Sequence, residues 1–74
     1  MENRVREIVA GYMGILVSEV VDDKSFIEMG MDSLTLLKII IDIENEYDIS
    51  IADEEIVDIR NFADICKLIE KNFS

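Results

Sequence analysis

The chain contains no histidine, no proline and no tryptophan, one cysteine and three glycines among 74 residues. Without histidine it cannot build a Ser-His-Asp triad, and the commonest metal ligand is missing. One thiolate cannot complete a zinc cluster, so no metal site is expected. A lone cysteine, Cys66, permits no internal disulfide, and a small chain without such staples suits a reducing cytoplasm. No run approaches the length of about 18 apolar residues needed to span a bilayer. The opening MENRVREIVAGYMG intersperses charges and shows no secretory cleavage pattern. Basic residues are also scarce: 7 Lys and Arg face 17 Asp and Glu, a formal net charge of -10. A field of that sign repels nucleic acid and anionic membranes and steers basic partners inward. These features argue against nucleic-acid binding and stable membrane insertion.

Apolar residues make up half of the chain, too many for a disordered polar tail. At this length one domain over residues 1–74 is expected, near the lower limit for independent folding. Val5, Ile8, Val9, Tyr12, Ile15 and Leu16 fall at helical steps and predict a first helix near residues 3–17, interrupted by Gly11 and Gly14. Residues 18–32 carry no sustained period. Phe26, Ile27, Met29 and Met31 read as anchors of a long loop with one short helical turn, and Gly30 as a tight or positive-φ position. Leu34, Leu37, Ile40 and Ile41, with the outlying Ile43 and Tyr47, define a second helix that Asp32 or Ser33 can cap. Ile49 and Ile51 lie in a connector. Asp53, Glu54 and Glu55 open a minor helix of one or two turns carrying Ile56 and Ile59. Asn61 caps a last helix whose stripe is Phe62, Ile65, Cys66 and Ile69, widened by Leu68, with Phe73 at its end. The expected fold is all-α: a small four-helix bundle of three main helices and one short one.

Between Asp42 and Asp58 there are eight acids and no Lys or Arg, which serves either as a solvated face or as a docking surface for basic proteins. The acids do not follow the spacing of a calcium loop, and the glycines do not form a phosphate loop. Cys66 lies on a helical stripe with no base beside it and reads as a small buried hydrophobe. Ser33 is the remaining candidate. Lys38, five residues on, is not aligned with it, and no oxyanion motif accompanies it, so no catalytic residue is assigned. Ser33 can serve as a cap alone, or it can carry a covalently attached anionic group facing the free amides of a helix start.

The stretch FIEMGMDSLTLLKIIIDIENEYDI resembles the acyl carrier protein family, in which an apolar residue, a glycine and a second apolar residue precede Asp-Ser-Leu. Here these are Met29, Gly30, Met31, Asp32, Ser33 and Leu34. The apolar helix, the acidic run ending in Tyr47, Ile49-Ser50-Ile51, the minor helix and the last helix follow the family order, so the resemblance covers essentially the whole chain. It implies a free-standing, monomeric carrier with 4'-phosphopantetheine, derived from coenzyme A, on Ser33. Acyl groups would be held there as thioesters for fatty acid, polyketide or specialised lipid biosynthesis. The implied partners are a phosphopantetheinyl transferase, an acyl-loading enzyme, ketosynthases and acyltransferases with basic docking patches. Met31, Asp32, Leu34, Ile41, Asp42, Glu44 and Glu46 are the implied docking residues. Many carriers of primary fatty acid synthesis have acids two and five residues after the serine and a proline after the second helix. This chain has Thr35, Lys38 and Ile51-Ala52-Asp53 instead, which points toward a specialised pathway. An aminoacyl or peptidyl carrier and an unmodified acidic helical adaptor are the alternative readings.

Overall fold

The computed structural model describes residues 2–73. Four α-helices occur in the order α1 Glu2–Met13, α2 Ser33–Tyr47, α3 Asp53–Ile56 and α4 Phe62–Phe73, with a 3₁₀ turn at Val17–Glu19 between α1 and α2. No strand occurs among the described residues, and the all-α reading holds. Among the described residues no helix is long and apolar enough to cross a membrane.

The first helix is shorter than its apolar spacing predicts. It stops at Met13 because Gly14 adopts φ +68°, and the amide of Ile15 then bonds back to the carbonyl of Ala10 at 3.1 Å. This left-handed stop satisfies one of the carbonyls that every helix end leaves open. Space is not what requires glycine, since a Cβ there would meet nothing within 4 Å; the backbone angle is. Beyond the stop, Leu16 is exposed instead of continuing the stripe. At the end of α2, Asp48 takes the same left-handed conformation (φ 54°, ψ 49°), and the amide of Ile49 bonds to the carbonyl of Glu44 at 3.1 Å.

The core gathers Val5, Ile8, Val9 and Ala10 of α1, Ile39, Ile40 and Ile43 of α2, and Phe62, Ile65 and Ile69 of α4. Val20, Phe26, Met31, Ile51 and Ile59 close it from the connections. α1 packs against α2, α4 and the 3₁₀ turn. Of the residues expected to stripe α2, only Ile40 and Ile43 are buried and Tyr47 is half-buried, whereas Leu34, Leu37 and Ile41 face outward, 60%, 42% and 46% exposed. The inner face is instead Leu36, Ile39, Ile40, Ile43 and Tyr47. α2 is therefore apolar on two sides.

The long connection is pinned as expected, though by different contacts. Phe26 and Met31 are buried and Met29 partly so, but Ile27 is 84% exposed, and Val20 takes a core position. Its backbone is bonded to the start of α4: the amide of Phe26 donates to the carbonyl of Arg60 at 2.9 Å, and the amide of Ala63 to that of Asp22 at 3.1 Å. Arg6 of α1 joins the three parts. Its guanidinium donates to the carbonyl of Val20, pairs with Asp22 at 2.8 Å and lies over the Phe62 ring at 4.2 Å. The start of α4 is closed from both sides, because Asn61 Oδ1 accepts from the amide of Asp64 and Asp64 Oδ2 from that of Arg60, each at 3.0 Å. This matches the expected cap at Asn61. The α4 backbone runs through Phe73, whose side chain, like Met1 and Ser74, lies outside the described residues.

The two faces of α2 should respond differently to truncation. Ile40→Ala, at a fully buried site, is expected to cost about 2–5 kcal/mol, whereas Leu34→Ala should cost less than about 1 kcal/mol. Urea unfolding followed by circular dichroism measures both; equal losses would mean that the outward row is core.

Candidate functional site

The approach to Ser33 is a compact turn set by Gly30. With φ +86° at Gly30, the amides of Met29 and Met31 both bond to the carbonyl of Phe26, at 3.1 and 2.9 Å, and the amide of Gly30 to that of Ile27 at 3.0 Å. Met31, implied as a docking residue, is buried by this turn and belongs to the core. The chain then extends through Asp32 (φ -97°, ψ 172°), whose Oδ1 accepts from the amide of Thr35 at 2.8 Å. Of the two residues able to cap α2, Asp32 is the one that does. The hydrogen bond from the Thr35 amide holds the Asp32 carboxyl below its ordinary range, aided by the Thr35 hydroxyl and by the charge of Lys38.

Ser33 is consequently the first helical residue, and it is exposed. The amides of Ser33 and Leu34 precede the first helical bond, which runs from Leu36 to the carbonyl of Asp32 at 3.1 Å, so they belong to the positive end of the helix. The nearest basic residue along α2, Lys38, is displaced by about 7.5 Å along the axis and about 140° around it. The hydroxyl is thus presented to solvent with no base of its own helix beside it. An exposed oxygen next to uncommitted helix-start amides fits a phosphodiester-linked arm, whose negative charge the helix end favours.

The acids Asp42, Glu44 and Glu46, implied as docking residues, lie beside this surface and are hydrogen-bonded within the chain. Asp42 accepts from the Tyr12 hydroxyl at 2.8 Å, and that bond is the main reason the phenol's pKa is raised. Glu46 accepts from Arg4 at 2.9 and 3.2 Å. Glu44 accepts from the amide of Ile51 at 2.8 Å. Leu34, Leu37, Lys38 and Ile41 lie exposed along α2 next to these acids. Spacing groups Tyr12 with the core and gives Arg4 no role; their partners stand 30 and 42 residues away, beyond the reach of local pattern. Ile27, read as a loop anchor, is 84% exposed, and Val57 is 78% exposed.

Cys66 is partly buried against the core, and burial, followed by the charges of Glu2 and Asp22, pushes its thiol up to about 11. It is a neutral, weakly nucleophilic side chain near neutral pH, in keeping with its reading as a small hydrophobe. Among the described residues no group of three or more His, Cys, Asp or Glu is placed to hold a metal ion. Two surface depressions, one beside Cys66 between α1 and α4 and one between α3 and α4, include no residue of α2.

Comparison with known proteins agrees with this geometry. The profile of the family described as "Phosphopantetheine attachment site" matches residues 3–69. The chain is 35% identical over 72 residues to an acyl carrier protein of Akkermansia muciniphila, covering 96% of this chain and 90% of that one. It superposes on the crystal structure of an acyl carrier protein from Thermotoga maritima with a TM-score of 0.79 at 32% identity, covering 99% of this chain and 92% of that one. A four-helix bundle that presents a solvent-facing serine at a helix start, with these relatives, belongs to the acyl carrier protein family of phosphopantetheine-dependent carriers. Its members are carriers and not catalysts, and so is this chain.

The cap at Asp32 sets a pH dependence. Because its pKa in the folded chain is lowered, its stabilisation is present above the unfolded-state pKa and is lost as pH falls through the folded-state value. Asp32→Ala should lower Tm at pH 7, and the gap to the parent should close on acidification below the ordinary carboxylate range. A gap that persists there would mean that the carboxylate charge is not what caps α2.

Proposed function

We propose that residues 1–74 act as one acyl carrier domain that holds acyl groups as thioesters on a 4'-phosphopantetheine arm joined to Ser33 Oγ. The observation that carries this reading is the exposed Ser33 as first residue of α2, within Met31-Asp32-Ser33-Leu34, in a chain of this family. In loading, Ser33 Oγ attacks the phosphorus that bears the pantetheine of coenzyme A. A P–O bond forms, the bond to adenosine 3',5'-bisphosphate breaks, and the serine proton passes to a base on the transferase. The arm supplies a thiol that holds acyl groups in activated form. Asp32 keeps the helix start ordered, the amides of Ser33 and Leu34 face the new phosphodiester, and Leu34 offers an apolar contact beside it.

The partners are a phosphopantetheinyl transferase and acyl-loading, ketosynthase or acyltransferase enzymes, drawn in by the net charge of -10. Tethering keeps the cargo at high local concentration while weak docking lets the carrier leave. The pathway is fatty acid, polyketide or specialised lipid biosynthesis. Thr35 and Lys38, which replace acids common in primary fatty acid carriers, favour a specialised one.

Incubation with coenzyme A and a broad-specificity phosphopantetheinyl transferase should raise the intact mass by one phosphopantetheinyl group. Ser33→Ala should abolish the gain while its circular dichroism stays helical. No gain across several transferases, or an undiminished gain in Ser33→Ala, would sink the assignment.

A further inference from the structure

The outward face of α2 next to Ser33 is not uniformly acidic. It carries the exposed Leu34, Leu37, Lys38 and Ile41, with the exposed acids Asp42 and Glu46 at its edge. The acids of the same helix sit to either side and already have partners: Asp42 holds Tyr12, Glu46 holds Arg4 and Glu44 holds the amide of Ile51. Of the seven cations in the chain, Arg4, Arg6 and Lys71 are in ion pairs with acids of the chain. Lys38 forms none among the described residues, although the chain carries 17 acids. Its field nonetheless reaches the site, since it contributes to the lowered pKa of Asp32. A partner that docks along this row, Leu34 to Ile41, therefore meets aliphatic side chains and one ammonium.

From this arrangement we infer that Lys38 is a specificity-determining residue, selecting partners that place a carboxylate against it within an apolar docking patch and rejecting partners whose docking patch is uniformly basic. Long-range attraction from the whole chain brings basic surfaces close. At contact, a basic group set against Lys38 is repelled, and an ammonium covered without a counter-charge loses its hydration. An acid on the partner removes both costs. Discrimination of this kind rests on a repulsive element as much as on an attractive one.

The inference rests on Ser33 being the attachment point, and one assay separates the two. The probe is a phosphopantetheinyl transferase with a basic docking surface, supplied with coenzyme A, and the readout is kcat/KM for loading. Lys38→Glu should raise kcat/KM about threefold or more, mainly through KM, with Lys38→Gln between it and the parent. The gain should shrink as salt is raised. Lys67→Glu, an exposed position on α4 with no pair among the described residues, changes the net charge equally and should leave kcat/KM near the parent value. Equal gains from Lys38→Glu and Lys67→Glu would reduce the effect to overall charge and overturn the inference. Loading of all variants at the parent rate would also overturn it, while leaving Ser33 as the attachment point. Failure of the parent itself to load would overturn the Ser33 reading, and this inference with it.

Discussion

The hydrogen bond from a backbone amide to a side-chain carboxylate is the interaction on which this structure most depends. Among the described residues five such bonds close turns and helix starts: Leu16 to Glu19, Thr35 to Asp32, Ile51 to Glu44, Ala52 to Glu55 and Arg60 to Asp64. A helix start leaves amides without partners, and burying or crowding them uncompensated is costly. In a chain with no proline and three glycines, the acids take over work that rigid or permissive residues do elsewhere. Much of the acidity is therefore structural before it is a field. Glu55 shows the double use: it accepts from the Ala52 amide and also pairs with Lys71 of α4, and the Lys71 bond is the main reason its pKa is lowered.

Arg6 carries the second layer of organisation. It reaches from α1 to the carbonyl of Val20, to Asp22 and to the face of Phe62. With the backbone bonds from Phe26 and Ala63, it fastens the long connection across the start of α4. The position of Gly30 and of the turn that delivers Ser33 follows from that fastening. A residue on the first helix thus helps set where the serine emerges, although it is 27 positions away in the chain. Its guanidinium suits the task, being able to stack on an aromatic ring and donate in several directions at once.

The helices were legible in the sequence because their signals are local. Asp32-Ser33 before an apolar run, three acids at the start of α3 and Asn61 before Phe62 all mark helix starts, and each one lies there. The facing of α2 was not legible. In LTLLKIII nearly every register offers an apolar residue, so spacing alone cannot decide which side is inside. The packing chose Leu36, Ile39, Ile40 and Ile43 and left Leu34, Leu37 and Ile41 in water. The early stop of α1 depends on the conformation of Gly14, which overrides an apolar spacing that continues past it. Ser33 could be located from its neighbours. The bonds from Asp42 and Glu46 to α1 could not, because Tyr12 and Arg4 meet them only once α1 and α2 have packed.

The two-sided α2 also bears on how the molecule behaves in a crowd of its own copies. A row of exposed aliphatic side chains, continued elsewhere by Ile27 and Val57, is a surface on which identical molecules can adhere. The charge of -10 keeps those copies apart by mutual repulsion. Colloidal stability and partner access are therefore two results of one balance. Protonating carboxylates weakens the repulsion, and at Asp32 and Glu55, whose pKa values are lowered in the fold, it weakens the closures they make as well, so colloidal stability and local order are coupled through the same kind of group.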